Sequence, residues 1–165
     1  MTITLYAQPY DICATGFYFE TAEEYDRRAA ANVNEFGDLV EEYEIQFIDG
    51  DDLDADLAKA FGLNQVNFRR FLEAAEGYSD DEKIAFIVAV DECGYSIDRA
   101  DDADIDIYRD TDMRELAEQF VDEGLFGDIP ANLACYLDYD AIARDLAMDY
   151  TETEIAGQRL VYRCG

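Results

Sequence analysis

The chain has 165 residues, 50% of them hydrophobic and 13% aromatic, and it sets 40 Asp and Glu against 12 Lys and Arg, a formal net charge of −28. That apolar content excludes a disordered acidic tail, and the charge excludes a protein that seeks nucleic acid, anionic membranes or other polyanions. With no histidine in the chain, nucleophilic catalysis of the Ser-His or Cys-His kind is excluded as well.

In chain order, Ile3 and Leu5 alternate with Thr4 and Tyr6, and the same alternation returns around Phe17 and Phe19, so two strands are expected. Thr21 to Glu24 has the spacing of a capping box, and the alanine-rich run Glu23 to Asn34 predicts the helix it opens. A third strand over Tyr43 to Ile48 completes a small sheet that closes at Asp49 and Gly50. From Asp51 strand signals stop. Leu53 to Phe61 predicts a helix halted by Gly62, and Gln65 to Glu76 a second, with Val66, Phe68, Phe71, Leu72 and Ala75 near one face. Ser79 to Glu82 is another capping box, for a helix through Ile84, Ile87 and Val88 that Gly94 stops, and Ser96 to Asp102 adds a short helical turn. Beyond it, Asp104 to Tyr108 alternates Asp with Ile as a strand with one wet face. Asp112 to Glu115 caps a helix carrying Leu116, Phe120 and Val121, and Thr151 to Ile155 with Arg159 to Arg163 reads as a closing hairpin. The fold class expected is α+β, elongated, in three small regions: a sheet with one helix over 1–50, a helical middle over 51–95, and sheet plus helices over 96–165. Phe17, Phe19, Phe61, Phe71 and Phe120 are in phase with apolar neighbours and read as core.

No phosphate-cradling glycine loop is present, and with 40 acids any pair of carboxylates is explained by chance, so no catalytic residue is assigned. A calcium loop counted from Asp102 would need Gly and Glu where Ile107 and Met113 stand, so no metal site is assigned. The cysteines Cys13, Cys93, Cys135 and Cys164 form no C-x-x-C pair, which argues against zinc. The amino terminus has no signal-peptide pattern, and the apolar run Ile84 to Val90 falls short of the roughly 20 residues that span a bilayer. A reducing, cytoplasmic location with free thiols is expected, the even cysteine count leaving disulfides open. No cofactor is expected.

The stretch from Leu125 to Tyr150 joins both properties of the chain. As helix, it places Leu133, Tyr136 and Leu137 on one buried stripe and Tyr139, Ile142, Ala143 and Leu146 on another, leaving Asp138, Asp140, Asp145 and Asp149 toward water. Gly127 and Pro130 prepare its start. The sequence Gly127-Asp-Ile-Pro130, then Leu133, Tyr136-Leu-Asp-Tyr139, Ala141 and Arg144-Asp145-Leu146 resembles the signature region of the ArdA antirestriction proteins, with Asn132 and Ala143 where that motif has Ser and Gly. The likeness extends more weakly over the whole chain. It implies a DNA mimic that binds no nucleic acid or membrane, inhibits type I restriction-modification enzymes at their methyltransferase core, and forms a homodimer through its carboxy-terminal region, where Tyr108 and Tyr136 are candidates for the contact. The signature residues are assigned first to folding and assembly.

Duplex DNA carries one negative charge per roughly 1.7 Å of axis, so a net charge of −28 equals that of about 48 Å of duplex, or about 14 base pairs. A compact globule of this length measures about 40 Å across, which favours an elongated molecule or a dimer for spreading such charge along one face. The acids assigned to that face are Glu41, Glu42, Asp51, Asp52, Asp54, Asp80, Asp81, Asp101, Asp102, Asp104, Glu118, Asp122 and Asp138. The alternative is a non-enzymatic binding module adapted to high salt, with no restriction-related partner, since Lys59 and Lys83 are the only lysines.

Overall fold

The computed structural model describes residues 2–165. It is a mixed α+β protein with two three-stranded antiparallel sheets, ordered β2-β1-β3 and β4-β6-β5, and it divides into two compact units, the first ending at Asp101 and the second running Asp102–Gly165.

In the first unit, β1 (Thr4–Pro9) lies between β2 (Phe17–Phe19) and β3 (Tyr43–Asp49). Leu5 pairs with Phe19 on one side and Phe47 on the other. Alternation places Leu5 and Ala7 inward, and both are fully buried. Between the strands, α1 (Ala22–Ala31) starts at Thr21, whose hydroxyl accepts from the Glu24 amide, while the Glu24 carboxylate accepts from the amide of Glu20. The expected capping box is therefore shifted by one donor. Next come α2 (Asp52–Phe61), α3 (Phe68–Gly77) and α4 (Asp80–Ile87), the last with a complete Ser79/Glu82 capping box. Gly62 ends α2 in the left-handed region, φ +55°, as its position after the apolar stripe predicts. Val66, expected on the inner face of α3, lies before that helix begins and is exposed. A π-helical turn, Val88–Glu92, continues α4, and a 3-10 turn covers Ala100–Asp102.

Aromatic side chains join sheet and helices into one core. The Phe19 ring lies 5.3 Å from Phe68, Phe47 lies 6.3 Å from Phe71, and Phe61 stacks on Phe86 at 4.7 Å. The change of periodicity at Asp51 thus falls inside a single compact unit. Apolar faces of a three-stranded sheet and of short helices need mutual cover, and here each supplies it to the other.

In the second unit, β4 (Ile105–Arg109) and β5 (Thr151–Ile155) flank β6 (Gln158–Cys164). The β5–β6 hairpin turns at Ala156 and Gly157, both at positive φ. Helix α5 (Met113–Asp122), opened by a complete Asp112/Glu115 capping box, packs against α7 (Tyr139–Leu146), and the one-turn α6 (Ala131–Ala134) lies between them in sequence. Leu116, Phe120 and Val161 form the core, covered by Tyr108, Met113, Leu146 and Tyr150. Tyr108 is partly buried, its ring 5.5 Å from that of Phe120.

The signature stretch departs from expectation in its first half. Leu133 is 50% exposed and Tyr136 81% exposed, although both were expected in a buried stripe. A single turn of helix cannot wrap an apolar stripe against its own unit. The second half agrees better, with Tyr139, Ile142, Ala143 and Leu146 partly buried. Cys13 and Cys135 are free thiols. Among the described residues, no helix is long and apolar enough to cross a membrane.

Candidate functional site

The site is a surface of carboxylates, and helix starts gather many of them. Asp51 caps α2 by accepting from the Asp54 amide at 2.9 Å, with Asp52 in the same first turn. Asp80, Asp81 and Glu82 occupy the first turn of α4. The start of α5 combines Asp112 and Glu115 with Glu152, which accepts from the Met113 amide at 2.6 Å. Asp138 caps α7 through the Ala141 amide, and Asp140 follows it. The partial positive charge of a helix start lowers the cost of concentrating anions there. These positions keep their acids fixed in direction while facing solvent. Glu82 shows the effect: the Ser79 amide and then its hydroxyl hold the carboxylate below its usual range.

Of the thirteen acids assigned to the surface, eleven are exposed: Glu41, Glu42, Asp51, Asp52, Asp80, Asp81, Asp101, Asp102, Asp104, Asp122 and Asp138. Glu118 is half-buried and pairs with Arg114 at 3.3 Å. Asp54 is the correction. Only 4% exposed, it lies 2.6 Å from the Lys83 ammonium in a buried pair between α2 and α4, and it cannot face a partner. The sequence does hold a signal for this pair. Asp54 stands three, four and seven residues before Leu57, Ala58 and Phe61, and Lys83 three and four before Phe86 and Ile87, so each charge sits on an apolar stripe.

Asp101 is exposed but engaged. It accepts from the Tyr78 hydroxyl at 2.6 Å and pairs with Arg70 at 3.3 Å. Arg70 also reaches Asp98 at 2.8 Å. Burial first, and then the hydrogen bond to Asp101, push the Tyr78 phenol up to about 12. Elsewhere Arg28 pairs with Glu24, Arg69 with Asp26, Arg114 with Asp140, Arg159 with Asp112 and Arg163 with Asp106. The cations are largely engaged in pairs within their own unit, so the acid surplus dominates the exposed field.

Around the signature residues, Gly127, Pro130, Asp138, Arg144 and Asp145 are exposed, Tyr139 and Leu146 half-buried. Exposed Leu125, Phe126, Leu133, Tyr136 and Met148 give this stretch an apolar character unlike its acidic surroundings. Among the described residues, no group of three or more Cys, Asp or Glu has the arrangement of a metal site. Comparison with protein-family models and with curated proteins finds no match for the chain.

Proposed function

We propose that the chain is an antirestriction protein of the ArdA kind, a catalytically inactive mimic of duplex DNA that occupies the DNA groove of type I restriction-modification enzymes. The observation that carries this reading is the exposure of eleven assigned acids in a chain of net charge −28. The Lys and Arg of such a groove, arranged for phosphates, meet carboxylates anchored on helix starts and loops. Release of counterions from both partners drives association. Each acid contributes little alone, because solvated charges act through their summed field.

In this reading the partner is the methyltransferase core, met in the cytoplasm, and the protein is a homodimer. The exposed Leu125, Phe126, Leu133 and Tyr136 supply an apolar patch suited to a contact between copies. The test is a methylation and cleavage assay with a type I enzyme. Near-stoichiometric inhibition by the protein, relieved by added salt, supports mimicry. Undiminished activity at a large excess of protein refutes it.

A further inference from the structure

We propose that one end of the first unit, formed by residues 10–14 and 33–42, is an apolar anchor that seats in an apolar cleft bordered by Lys and Arg on the type I enzyme. The inference rests on the function proposed above and adds a contact for which duplex DNA has no counterpart.

Ile12 is 97% exposed and Phe36 77% exposed, with Tyr10, Val33 and Leu39 also at the surface. Their loops are stitched together. The Asn34 amide side chain donates to Asp11 at 2.9 Å, and its carbonyl oxygen accepts from the amides of Phe36 and Asp38, both at 2.9 Å. The Glu35 amide donates to the Cys13 carbonyl at 3.0 Å, and Asn32 reaches the Thr15 carbonyl at 3.1 Å. Val33 and Leu39 form a bridge across the loop, and Gly37 turns it at φ +88°. The result is a braced tip that holds large apolar side chains in water. Bracing of this kind removes part of the ordering cost of binding.

Charge selects the occupant. The same loops carry Asp11, Glu35, Asp38, Glu41 and Glu42, and no Lys or Arg occurs between Arg28 and Lys59 or before Arg27. A second copy of this end would bring acid rim against acid rim, and an anionic lipid surface would be repelled. A protein cleft with an apolar floor and a basic border satisfies both the anchors and the rim, and a type I enzyme that binds DNA supplies such basic borders.

The test measures binding of the full chain and its Ile12→Ser/Phe36→Ser variant to a purified type I methyltransferase over a series of NaCl concentrations. An apolar anchor gives at least a tenfold weaker Kd at every concentration, about 1.4 kcal/mol at 25 °C, with an unchanged slope of log Kd against log salt. Ile12→Ser alone, at a side chain with almost no packing to lose, shows part of the same loss and guards against misfolding of the double variant. Equal affinity of wild type and variants overturns the anchor while leaving mimicry intact. Failure of the wild type to bind overturns mimicry and the anchor with it.

Discussion

Lys83→Met tests the structural side of this acidic design. The Lys83 and Asp54 side chains are 9% and 5% exposed and 2.6 Å apart, so removing the ammonium leaves a carboxylate with neither water nor partner. Breaking a buried pair in this way costs about 3 to 5 kcal/mol, a large share of the roughly 5 to 15 kcal/mol that holds a domain together. For a unit of about a hundred residues, each kcal/mol moves Tm by about 4 to 8 °C, so the lower figure gives a drop of about 12 to 24 °C. Thermal and urea melts followed by circular dichroism read the change. The double variant Asp54→Leu/Lys83→Met, which replaces the pair with apolar volume, should recover to within about 1 kcal/mol of wild type. A Lys83→Met melt indistinguishable from wild type would refute the reasoning, because the charge could not then be desolvated as the geometry requires.

Leu133→Asp should leave the melt of the isolated subunit within about 0.5 kcal/mol of wild type, as expected of an exposed site, yet shift a dimer to monomer in sedimentation velocity. A large loss of stability at a concentration where only monomer exists would contradict the exposed placement. Tyrosine absorbance should show a phenol that ionises only near pH 12, and Asp101→Asn should bring it down. Because the folded value for Tyr78 is raised above its ordinary 10 to about 12, its stabilising contribution is complete below pH 10 and fades as pH rises toward 12; a melt insensitive to pH across that window would count against it. Added NaCl should raise Tm, since a net charge of −28 repels itself and salt screens it. A falling Tm would mean that ion pairs, and not repulsion, govern stability.

The secondary structure was largely legible because local chemistry wrote it. Thr21, Ser79 and Asp112 begin helices where their capping patterns place them, and Gly62, Gly94 and Gly124 adopt the positive φ that follows helix ends. The burial of Asp54 is hard to read from sequence because one acid among many looks solvated until the stripe beneath it is compared with that of Lys83 on another helix. The exposure of Leu133 and Tyr136 is not legible because periodicity states which side chains share a face and is silent on whether the chain itself covers that face. The braced tip at Ile12 and Phe36 leaves no such signal either, since its apolar residues belong to loops with no period. The π-helical turn at Val88–Glu92 carries no composition that distinguishes it from an ordinary helix end. As for the site, the carboxylates could be named from sequence, but their engagement, such as Asp101 with Tyr78 and Arg70, depends on contacts between elements distant in the chain.

The most direct test of mimicry is competition between this protein and a labelled duplex for a type I methyltransferase, repeated across ionic strengths. A DNA mimic displaces the duplex at low salt, and its own affinity falls steeply and linearly on a log–log plot as salt rises. Joint neutralisation of Glu41, Glu42, Asp52, Asp80 and Asp81 to their amides should flatten that slope. Duplex that stays bound at every salt concentration, whatever the excess of protein, would contradict it.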